Sequence, residues 1–174
     1  GEVVPLHHPN GVKDSRWMLL VGLGDEDAIS LNKIRKAVGT GARFALKKGW
    51  KSVGVLAPST SSLEHDEVQV AVLEGALLGD YDLVTFKGAK AGENKPEAKR
   101  FERLEIFTNG EDTRKVRRRQ PAIEAAAVAC HRVRDLANTP PSDLSPAIFA
   151  EQAQKLAKQH KVGIEVLDVP ALEK

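Results

Sequence analysis

GLGDED, from Gly22 to Asp27, follows a short apolar run and comes shortly before a helix-like pattern. A glycine-rich turn in that place can offer backbone N–H groups to a phosphate. The dinucleotide fingerprint requires a third glycine, and that position is Asp27. Asp25, Glu26 and Asp27 set three like charges where a pyrophosphate would sit, and like charges repel. The residues read as a tight solvent turn, with phosphate binding as the rival.

A second chemical feature is RKVRRR, Arg114 to Arg119. Between Lys87 and Arg119 there are eleven Lys or Arg against six Asp or Glu, a local excess that could face nucleic acid. No aromatic side chain interleaves the run to stack on bases, so a solvated helix start is the expectation. The five histidines, His7, His8, His65, His131 and His160, form neither HxxxH nor HExxH spacing. A zinc site needs three or four converging donors, and the acids show no spaced set for a two-metal centre. Cys130 falls on the apolar stripe of an Ala-rich segment and is expected to be a buried small hydrophobe, not a nucleophile. The catalytic, metal and substrate-binding residues expected within this chain are therefore none.

The elements that must position these groups alternate. Val3-Val4 opens a strand, and Arg16–Leu23 is a short apolar strand ending in glycine. From Ser30 to Lys48 the apolar positions Leu31, Ile34, Ala37, Val38, Ala42, Ala45 and Leu46 follow the 3.6 period, with Ser30 as N-cap and Gly49 as the stop. Lys51–Ala57 is a second buried strand, closed by Pro58. His65–Leu78 is helical with Val68, Val72, Leu73, Ala76 and Leu77 inward. Lys87–Arg100 reads as an exposed loop, Leu104–Thr108 as a strand, and Glu111–Ala137 as a long helix that Pro121 kinks or starts. Strand alternating with helix predicts an α/β fold, a mixed or parallel sheet flanked by helices.

The stretch NTPPSDLSP, Asn138 to Pro146, is a rigid elbow. Pro140 and Pro141 hold the residues before them out of the helical region, so the long helix ends near Asn138. Ser145 and Pro146 then supply an N-cap and an N1 proline for a helix that stops near His160, and IEVL, Ile164 to Leu167, reads as a strand. One helix and one strand cannot bury their own apolar faces. The expected organisation is an N-terminal α/β domain over 1–110 lacking its first elements, a connecting helix over 111–138, and the beginning of a second, truncated domain over 139–174. A fragment of that kind is expected to aggregate or to keep company with the rest of its polypeptide.

With 174 residues, 41% hydrophobic and 29% charged, the chain has enough material for a core and is not of disordered composition. A net charge of +2 does not demand a polyanionic partner. A single cysteine excludes an internal disulfide, which fits a reducing compartment. No apolar run approaches the roughly 20 residues of a membrane helix, so no membrane partner is expected.

RDLANTPPSDLSPAIFAEQAQKL resembles the linker signature of the leucyl (cytosol) aminopeptidase family, carried here by Arg134, Leu136, Asn138, Pro140, Ser142, Leu144, Ser145 and Pro146. GEVVPL, WMLLVGLGDED, LNKIRKAVGTGARFALKKGWKSVGVL and VLEGALLGDYDLVTFK resemble further family segments in the same order. The resemblance implies a macro-domain-like N-terminal domain joined by a long helix to a peptidase domain. That peptidase domain uses two divalent metal ions, Zn or Mn, to remove N-terminal residues, often Leu, from peptides. It also implies a cytoplasmic homo-hexamer. The family's metal ligands and its catalytic Lys and Arg match nothing in this chain, so this segment is expected to bind no metal, to be inactive alone, and to support assembly. Two alternatives remain at this point: a macro-like module binding a nucleotide or ADP-ribose at Gly22–Gly24, and a DNA-binding accessory domain working through Arg114–Arg119.

Overall fold

In the computed structural model, which describes residues 2–12, 15–83, 98–108, 110–167 and 169–172, two adjacent strands open the chain. β1 (Val3–Val12) pairs antiparallel with β2 (Ser15–Val21), in a register that sets Val4 opposite Leu20, Leu6 opposite Met18 and His7 opposite Trp17. Side chains alternate across a strand, so the hairpin has two faces. Leu19 and Val21 are half-buried on one, whereas Val4, Leu6, Met18 and Leu20 are all exposed on the other. A short 3-10 turn, Glu26–Ala28, leads to α1 (Leu31–Lys47). Ser30 caps α1 as expected, its hydroxyl accepting from the Lys33 N–H at 3.3 Å, and Gly49 ends it at φ 77°.

β3 (Ser52–Leu56) follows, then α2 (His65–Gly79) and β4 (Arg103–Phe107). β3 and β4 pair in parallel with Val53 opposite Leu104 and Val55 opposite Ile106, so α2 is the crossover of a βαβ unit. The fold is α/β as the alternation predicts. Among the described residues its strands form two pairs, the antiparallel hairpin and the parallel pair. The expected loop over Lys87–Arg100 lies almost wholly outside the described residues. Its return is tied down by Asp80, whose carboxylate accepts from the Phe101 N–H at 3.1 Å.

α2 is buried on more than one side. Ile34, Val68, Ala71 and Val72 form one apolar cluster with Ala57. Val70 and Leu73 form another with Val116 and Ile123 of α3 (Arg114–Asn138). The periodicity reading gave α2 a single inward stripe, but a helix apolar nearly all round is the kind that becomes enclosed. Where α1 and α2 cross, glycine permits the contact: a Cβ on Gly75 would stand 2.5 Å from the Arg35 carbonyl oxygen, and one on Gly79 would stand 2.8 Å from the Gly39 carbonyl.

The chain divides into two compact units, residues 1–132 and 133–174, and the division falls within α3. Pro121 is not the first turn of this helix; α3 starts seven residues earlier, at Arg114, and Arg117 N–H already donates to the Thr113 carbonyl. Proline has no N–H, so the Arg117 carbonyl gets no helical bond from position 121. Within the second unit α3 ends at Asn138, as the prolines dictate, and the elbow closes on the Pro140 carbonyl, which accepts from Asp143 and Leu144. Ser145 caps α4 (Pro146–His160), accepting from the Ile148 N–H. The stop is made by Lys161 in the left-handed region, with the Val162 N–H reaching back to the Ala157 carbonyl at 2.9 Å. Ile164–Leu167, read as a strand from the sequence, forms none among the described residues, and α5 (Val169–Leu172) follows. A strand needs a partner to satisfy its backbone, and an alternating sequence does not supply one.

Candidate functional site

Around the glycine turn after β2 three backbone donors are engaged by the protein itself. Gly22 N–H donates to the Glu2 carbonyl at 2.9 Å, Ala28 N–H to Asp25, and Ile29 N–H to Glu26. Gly24 takes φ 82°, which a turn there requires. With Asp25, Glu26 and Asp27 exposed beside it, the turn is a poor phosphate cradle, since like charges repel.

The basic run is built as a clamp. Lys115 meets Asp66 at 2.9 Å and Arg119 meets Glu67 at 2.7 Å, so α3 fastens onto the acidic first turn of α2. Asp66 and Glu67 already favour that position through the α2 dipole. Hydrogen bonding from Lys115 holds the Asp66 carboxyl below the ordinary range, and Asp66 in turn raises Lys115. Arg114 is taken by Asp112. Only Arg117 and Arg118 of the run carry no ion pair among the described residues, which is a small footprint for a polyanion.

Asp112 also closes the start of α3. It accepts from the Arg114 N–H at 2.9 Å and from the Arg114 Nε at 2.9 Å. The Arg114 side-chain hydrogen bond is the main reason its carboxyl is lowered from 3.8 to about 2. A carboxyl depressed in the folded state stabilises fully above its unfolded value and loses that contribution as pH falls through the folded one. The melting temperature is therefore expected to fall as the pH drops from 3.8 towards about 2, and less steeply in Asp112→Asn. Parallel profiles for the two proteins would show that this carboxylate adds nothing to the fold.

The remaining candidates stay apart. The His7 ring lies tilted against Trp17 at 4.6 Å, and Trp17 is 5.7 Å from Trp50, which ties the hairpin to the chain just after α1. His65 faces Glu111 at 3.6 Å, and His131 lies 5.3 Å from the Tyr81 ring. Among the described residues no three His, Cys, Asp or Glu side chains converge as a metal site would require. Cys130, expected to be buried, is exposed. The buried residues of α3 are Val116, Ile123 and Ala127, of which Val116 and Ile123 pack with Val70 and Leu73 of α2, and position 130 is not among them. No described helix is long and apolar enough to cross a membrane.

One feature sequence reasoning passed over is Gln69, a polar residue inside the apolar run VQVAVLEGALLG. It is 2% exposed and its Oε1 has no hydrogen-bond partner, while its Nε2 reaches the Asp112 carbonyl at 3.5 Å. A cleft of about 190 Å³ lies beside it, bounded by α2, β4 and the start of α3. The signal that could have found it is the lone amide within the apolar stretch VQVAVL.

The sequence model described as the cytosol aminopeptidase family, N-terminal domain, matches residues 1–90. A probable cytosol aminopeptidase of Streptomyces griseus is 36% identical over 187 aligned residues, spanning 100% of this chain and 35% of the relative. One from Rhodococcus opacus is 34% identical over 157, spanning 90% and 29%. The chain thus spans about a third of the length of these relatives. A tomato leucine aminopeptidase mutant superposes with a TM-score of 0.81 at 24% identity, over 99% of this chain and 33% of that one.

Proposed function

The chain belongs to the cytosol aminopeptidase family, and from that premise we propose that it is the N-terminal portion of a metal-dependent aminopeptidase that removes N-terminal residues from peptides. The observation that carries this reading is the match of the family's N-terminal domain to residues 1–90, extended by relatives that align along 90% or more of the chain. In this reading residues 1–110 form the N-terminal α/β domain, 111–138 the connecting helix, and 139–174 the opening of the peptidase domain. Two divalent ions, Zn or Mn, would supply the activation of water and the polarisation of the scissile carbonyl. The described residues do not fit such a centre, so no ligand and no step is assigned to them. Their role is to support assembly, as a homo-hexamer in the cytoplasm, and to shape access to the peptidase domain.

Neither rival gains from the geometry. Three exposed acids crowd the glycine turn and the basic run is largely paired. The test compares the 174-residue chain with the longer gene product, on a leucyl chromogenic anilide with added Mn or Zn. The longer product is expected to hydrolyse it and the chain alone is not. Turnover by the chain itself would overturn the assignment of roles, and a longer product inactive with every divalent ion would overturn the aminopeptidase reading.

A further inference from the structure

We draw no further inference here: the strongest candidate, the exposed apolar face that Val4, Leu6, Met18 and Leu20 form on the β1–β2 hairpin, carries nothing because nothing in the structure shows what covers it.

Discussion

Gly75→Ala is expected to lower stability by about 1–3 kcal/mol, the range for extra volume forced into a well-packed interior. The sign is what makes the prediction sharp. In a helix held by nothing but its own propensity, replacing glycine by alanine stabilises by roughly 1 kcal/mol. Here the added Cβ would stand 2.5 Å from the backbone oxygen of Arg35 and 3.0 Å from the Val38 Cβ. A carbonyl oxygen of a helix cannot rotate aside as a side-chain tip can, so α1 and α2 must separate. Separation loosens the cluster containing Ile34, Val72 and Ala71, and it stretches the Arg35–Glu74 ion pair, in which the Arg35 Nε donates to the Glu74 carboxylate at 2.7 Å. Urea titration and thermal melts would check it. A variant as stable as the parent, or more so, would mean the crossing has slack.

Ile34→Ala is expected to cost more, about 2–5 kcal/mol, the range for removing a large buried aliphatic side chain and leaving a cavity. Ile34 is 0% exposed and sits in the cluster with Val68, Ala71 and Val72. It is held there by two rigid helices whose contact is already at the glycine limit, so little collapse into the void is available. With total stabilities of single domains at 5–15 kcal/mol, this one change could leave a large unfolded fraction at room temperature. Ile34→Val should cost about 0.5–1.5 kcal/mol. A loss near that smaller figure for the alanine variant, measured by urea midpoint at constant slope, would place the centre of the core elsewhere.

The two changes also separate what was legible from what was not. Ile34 belongs to the α1 stripe that the 3.6 period predicts. Nothing in the identity of the residue marks Gly75 and Gly79 as different from the exposed Gly163, because the difference lies in what stands opposite each one. Gln69 is similar: its type is visible in the run VQVAVLEGALLG, but its burial follows from α2 being covered on a second side by Val116 and Ile123. Cys130 shows the opposite error. Its expected burial extended to it the α3 stripe of Ile123 and Ala127, which are buried, whereas Cys130 is exposed.

By itself the sequence determined where most elements begin and end. Ser30, Gly49, Ser145 and Pro146 act through bonds a few residues long, and the prolines after Asn138 stop α3 by steric exclusion at the neighbouring residue. It also determined the α/β character and the family, since ordered motifs survive without any knowledge of contacts. The tertiary structure alone decided that β1 takes β2 and β3 takes β4, and that Ile164–Leu167 takes no strand among the described residues. It alone turned the Arg114–Arg119 run into a clamp on α2, and set Gln69 and Arg117 on one cleft. The physical reason is range. Caps and turns are satisfied within a few residues of backbone. The pairing of β3 with β4 and the clamp of α3 on α2 are made by groups some fifty positions away, as Lys115 is by Asp66, and a one-dimensional pattern carries no record of which distant group arrives.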